Sequence, residues 1–141
     1  MELTTAMLAD AAQVANGKLY ILGGQWDRLL VQSFPAQHPT LTVVLVLRVE
    51  YSEALDEHRM EIVLQLDGQR LDAGAVASFM VGHAPGQRRG SPSFIPLALP
   101  FNNLRFETAG RYEWTVAVDD QPLGSVPIDV VTGRATGMHA Q

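Results

Sequence analysis

Four imidazoles, His38, His58, His83 and His139, are the first residues to weigh for chemistry. No two of them stand three or four residues apart, the spacing that sets metal ligands on one helical face, so a metal site would have to be assembled by the fold. Glu57-His58 beside Asp56 is the one close cluster of acids and imidazole. It falls in a connector, where solvated side chains are the ordinary outcome and general-base chemistry would first need geometry. His83 sits where a strand leaves into a loop and His38 lies between Pro35 and Pro39, so both read as surface imidazoles. Cysteine is absent, which excludes a thiolate nucleophile, a redox dithiol, a disulfide framework and thiolate-bound zinc together. No serine occupies a Gly-x-Ser-x-Gly elbow, and neither a phosphate loop nor a dinucleotide glycine fingerprint is present. Asp67, Asp72, Asp119 and Asp120 lack the regular spacing of oxygen ligands that a hard cation requires, and turn chemistry accounts for them. The residues therefore predict no catalytic group, no metal and no cofactor.

Binding is the remaining class of function, and two features speak to it. The loop from His83 to Ser93 carries Arg88 and Arg89 between Gly86 and Gly90, a basic island on a chain whose formal net charge is -5. Such a loop suits a carboxylate or an acidic protein partner, whereas the overall charge repels phosphate backbones and anionic lipid, so neither nucleic acid nor a membrane is an expected partner. The second feature is Leu41 to Val49, where Leu41, Val43, Leu45, Leu47 and Val49 form one apolar face and Val44 and Val46 add apolar groups to the other. A sandwich strand normally wets that second face, so Val44 and Val46, if uncovered, mark a face for self-association. Gly23-Gly24 beside Trp26 reads as a bulge or sheet corner.

The elements that must position these residues are strands. Apolar residues recur with period two between frequent turn signals, the pattern of an antiparallel sandwich. Met60, Ile62, Leu64 and Leu66 share one face of the stretch from Arg59 to Asp67, and Tyr112, Trp114, Val116 and Val118 share one face of Arg111 to Asp119. Both are expected to be central strands. Val126, Ile128 and Val130 point inward on a last strand, which Pro127 marks as an edge. Pro96 and Pro100 mark a second edge opposite Ile95, Leu97, Leu99 and Phe101. Asn16-Gly17 and Asp67-Gly68 predict tight hairpins, although Thr5 to Ala15 competes as an alanine-rich helix capped by Asn16-Gly17. Ser52 followed by acids predicts a single helical turn near residues 53–57. The expected fold is all-β: a single-domain antiparallel sandwich, immunoglobulin-like or C2-like, of about eight strands over residues 1–131, with a flexible tail at 132–141.

The opening block Leu8-Ala9-Asp10-Ala11-Ala12-Gln13-Val14-Ala15-Asn16-Gly17-Lys18-Leu19-Tyr20-Ile21-Leu22-Gly23-Gly24 and the later Gly110-Arg111-Tyr112-Glu113-Trp114 resemble a family of small actinobacterial-type proteins of unknown function. That resemblance implies a sandwich-like body and carries over no catalytic or binding residue. Tyr112 and Trp114 also resemble the tyrosine corner of immunoglobulin-type sandwiches, in which the tyrosine hydroxyl ties back to an upstream loop. The acidic start and the short apolar stretches predict no export signal and a cytoplasmic protein. The leading expectation is a non-catalytic binding or assembly module acting through protein contacts or as a homo-oligomer. With prolines guarding the edges, a face-to-face contact is favoured over strand addition. Two alternatives stand beside it: a ligand carrier or enzyme with a pocket at one end near Trp26, His83 and Arg88, and a component of a larger phage-like or secretion particle.

Overall fold

The computed structural model describes residues 1–133. Nine strands follow in order: β1 Glu2–Ala15, β2 Lys18–Trp26, β3 Arg28–Val31, β4 Ala36–Val49, β5 Glu57–Leu66, β6 Gln69–Met80, β7 Ser93–Phe106, β8 Gly110–Val118 and β9 Gln121–Thr132. They form a four-stranded sheet ordered β2-β1-β4-β7 and a five-stranded sheet ordered β3-β9-β8-β5-β6. The two sheets stack as an all-β sandwich.

Turn chemistry dictates three of the reversals. Asn16 and Gly17 (φ 53° and 74°), Asp67 and Gly68 (φ 51° and 80°), and Asp119 and Asp120 (φ 51° and 63°) each place two successive residues at positive φ. This is the backbone of a two-residue hairpin whose twist matches the strands it joins. Asp119 and Asp120 adopt it without glycine because short carboxylate side chains tolerate the left-handed region. Residues 5–15 are strand rather than helix: β1 lies between β2 and β4, and its ladder bonds and the burial of Leu8 outweigh the helix propensity of its alanines.

Alternation then builds the core. Leu41, Val43, Leu45, Leu47 and Val49 of β4 meet Met60, Ile62 and Leu64 of β5, Tyr112, Trp114, Val116 and Val118 of β8, and Val126, Ile128 and Val130 of β9. Each such side chain contributes roughly 1.5–3 kcal/mol when fully buried. Trp114 packs its ring 4.2 Å from that of Phe101 across the layers, and Phe106 meets Tyr112 edge-on at 5.0 Å.

Several expectations need correction. The strands number nine, close to the eight or so expected; the one with no signal in the sequence is Arg28–Val31, a short strand parallel to β9. That strand also makes β9 internal over Asp129–Thr132, so only the earlier part of β9, which contains Pro127, is an edge. The helical turn is a 3-10 turn at Tyr51–Glu53, capped by Glu50 instead of Ser52. Thr132 belongs to β9 and the Gly133 N–H donates to the Val31 carbonyl at 3.1 Å, so the body extends past residue 131. The expected tail at 134–141, with His139, lies outside the described residues.

Candidate functional site

The sandwich has four sheet edges, and their backbones differ. Along β7, Pro96 pairs with Val46 and Pro100 with Thr42. The Val46 carbonyl faces β1, where it accepts the Thr4 hydroxyl at 3.3 Å. Pro96 therefore turns its backbone away from β4 to the free edge, where proline offers no donor. The open part of β9 holds Pro122 and Pro127. The outer strand β2 is broken by Gly23 and Gln25 at positive φ (61° and 63°), and β3 has only four residues.

The remaining edge is β6. Its twelve residues contain no proline and none at positive φ, and from Ala73 to Met80 no charge. Which groups face outward follows from β5. The Arg59 N–H donates to Asp119 Oδ1 at 2.9 Å, its carbonyl accepts the Asp119 N–H at 2.8 Å, and the Val63 carbonyl accepts the Thr115 hydroxyl at 3.3 Å. Odd-numbered residues of β5 thus face β8, and Met60 and Ile62 bond to their β6 partners Ala77 and Ala75. Val76, Ser78 and Met80 are left directing N–H and C=O groups to solvent, with the Val76 and Met80 side chains 55% and 60% exposed.

The flank beside this edge is incompletely filled. Ala75 and Ala77 point inward opposite core residues yet are exposed, and Ile95, Leu97, Leu99 and Phe101 on the inner face of β7 are only half-buried. Toward one end the space widens into an open groove of about 640 Å³, with Leu66, Leu71, Phe101 and Leu104 on its walls and Asp72, Asn102, Arg105 and Glu107 around it.

The residues singled out in the sequence fall elsewhere. Arg88 and Arg89 are exposed and make no ion pair among the described residues. Their loop is stapled rather than loose: Gln87 accepts the Ala84 N–H at 2.9 Å and donates to the Ser91 carbonyl at 3.0 Å and the Ser93 hydroxyl at 3.2 Å. Val44 is fully buried between its ladder partners Met7 and Ala98, and Val46 is half-buried, so Val44 has no surface to offer a partner. The Tyr112 hydroxyl donates to the Thr108 carbonyl at 2.7 Å, the geometry of a tyrosine corner, while Trp114 is core. Trp26 and His83 are not neighbours. Trp26 lies against His38 near the start of β4, and His83 stacks on Tyr51 just beyond its end. At about 3.3 Å per strand residue, these groups are roughly 35 Å apart.

His58 is buried, and its carboxylate partner is distant in sequence. Nδ1 lies 2.7 Å from Asp119 Oδ2 and Nε2 lies 2.7 Å from the Glu53 carbonyl. The hydrogen bond to Asp119, followed by that to Glu53, raises the His58 pKa above its ordinary value. The same contact with His58 holds the Asp119 carboxyl below its own. Among the described residues no three histidine, aspartate or glutamate side chains gather as a cation site.

The model of a family of unknown function, DUF6941, matches residues 4–131. The chain belongs to that family. Comparison with curated proteins finds no match. The DUF6941 match runs from within β1 to within β9, so the β6 edge and the flank beside it lie inside the matched region.

Proposed function

We propose that this chain is a non-catalytic assembly module of the bacterial cytoplasm that joins a second copy of itself by strand addition along β6. The observation that carries the reading is the contrast between edges. Proline, residues at positive φ or shortness interrupt the others, whereas β6, past a register shift at Leu71–Ala73, presents an uncharged stretch whose outward N–H and C=O groups have no partner among the described residues. Exposed strands of that kind pair with other strands unless blocked. The half-buried inner face of β7 supports the same reading, because Phe101 and Leu104 share with Leu71 an open groove beside β6 that a further strand would help to close.

The sequence of β6 favours its own copy as occupant. Set antiparallel about a two-fold axis at Val76, Gly74 faces the partner subunit's Ser78 and Ala75 faces the partner subunit's Ala77, so small side chains line the seam on both sides of the axis. In the self-complementary contact of a two-fold dimer each such pair occurs twice, once on either side of the axis. Burial of Val44 and half-burial of Val46 leave less apolar surface for the face-to-face contact that the strand pattern of residues 41–49 suggests.

The absence of cysteine makes a clean test available. In Val76→Cys the two thiols would sit in a hydrogen-bonded antiparallel pair, with Cα atoms about 5.5 Å apart, within disulfide range. Mild oxidation is expected to cross-link Val76→Cys into a dimer and to leave an equally exposed Tyr20→Cys control uncrosslinked. Equal cross-linking of both, or of neither, contradicts the proposed contact.

A further inference from the structure

We propose that His58 is a proton-dependent clamp that holds the connector of residues 50–56 to the β8–β9 turn, and that loss of its proton releases the connector. The argument rests on donors and acceptors. A neutral imidazole has one N–H and one lone pair, whereas the imidazolium has two N–H donors. Both neighbours of the ring are acceptors: the Asp119 carboxylate and the Glu53 carbonyl, each at 2.7 Å. In the neutral ring one nitrogen would turn its lone pair toward an oxygen. His58 is only 9% exposed, which leaves little room for water to relieve that conflict.

The surrounding groups support the charged form. Asp119 belongs to the β8–β9 turn and also accepts the Arg59 N–H. The Glu53 carboxylate, on the 3-10 turn, lies 2.9 Å from the Met1 ammonium and accepts the Glu50 N–H at 2.9 Å. From β6 the ring meets Phe79, with centroids 5.6 Å apart and no charge. The remaining charges near this junction are Arg59 and Glu57, adjacent to His58 on β5, and Asp120, adjacent to Asp119 in the turn. Acids outnumber bases, in keeping with an imidazolium.

On deprotonation the ring keeps its one donor for the charged acceptor, Asp119, because hydrogen bonds to ionised groups are the stronger kind. The contact with Glu53 is then lost. The connector it releases also holds the end of β6, where the Leu55 N–H donates to the Val81 carbonyl at 2.8 Å. The folded pKa lies above the unfolded one, so the stabilisation is complete below the unfolded value, near 6.5, and disappears as pH rises through the folded value.

Nitrogen NMR of the intact chain reads the ring directly. Both His58 nitrogens are expected to be protonated at pH 6.5, with a midpoint above that value. Amide exchange at Leu55, corrected for the intrinsic rate, should accelerate through the same midpoint. In Asp119→Asn the midpoint should fall. His58→Gln should remove the loss of stability that the unaltered chain shows as pH rises above about 6.5. A His58 midpoint at or below 6.5, or Leu55 exchange that ignores it, overturns the proposal. The titration of the unaltered chain decides even if His58→Gln does not fold.

Discussion

Replacing Tyr112 with phenylalanine removes one oxygen atom and tests how the late strands are tied to the loop before them. The hydroxyl donates to the Thr108 carbonyl at 2.7 Å from a side chain that is 1% exposed. The edge-on contact with Phe106, at 5.0 Å, does not involve the hydroxyl and should persist. What is lost is therefore one hydrogen bond, together with a carbonyl left without its partner, an expected cost of about 1–3 kcal/mol. In a domain of this size each kcal/mol lowers the melting temperature by roughly 2–4 °C. Urea unfolding followed by tryptophan fluorescence, with Trp114 buried beside the corner, should show a lower midpoint and an unchanged slope. Tyr20→Phe is the control, since Tyr20 is 52% exposed and should leave the midpoint where it is. Equal midpoints for Tyr112→Phe and the unaltered chain would refute the assignment of the corner as a stabilising tie.

Other substitutions separate core, turn and surface. Ile128→Ala opens a void at a fully buried position and should cost about 2–5 kcal/mol in denaturant unfolding. Gly17→Ala places a side chain at φ 74° with open space around it, so calorimetry should register a loss of about 1 kcal/mol from backbone strain alone. Arg88→Ala combined with Arg89→Ala removes two exposed cations that make no ion pair among the described residues, and should change stability by less than about 0.5 kcal/mol.

Local pattern carried much of the architecture. The alternation of Met60, Ile62 and Leu64 and of Tyr112, Trp114 and Val116 placed β5 and β8 in the centre of a sheet, because a period of two has one physical reading when one face is buried. Asn16-Gly17 and Asp67-Gly68 named their turns for the same reason. Pairings between distant segments had no such signal. Arg28–Val31 is too short to show a period, and its parallel partner lies about a hundred residues further on. The Glu57-His58 neighbourhood suggested a local cluster of acids, whereas the partner of His58 is Asp119, brought in by the β5–β8 ladder. Whether Val44 is covered was not legible, because alternation says which face a residue takes and nothing of what covers that face. The β6 edge did leave a trace: an uncharged, proline-free stretch from Ala73 to Met80, which gains meaning only once the other edges are seen to be interrupted.

Proline at an outward-facing position leaves the ladder intact, as Pro96 does on β7, so the same device can be moved to β6. Val76→Pro should close that edge without unfolding the chain, since the Val76 N–H points away from β5. Light scattering across a concentration series is the direct measurement. The unaltered protein is expected to approach twice the 15.4 kDa of one chain as concentration rises, and Val76→Pro to remain at the single-chain mass. A single-chain mass for the unaltered protein throughout the series, or an identical rise in both proteins, would contradict assembly through β6.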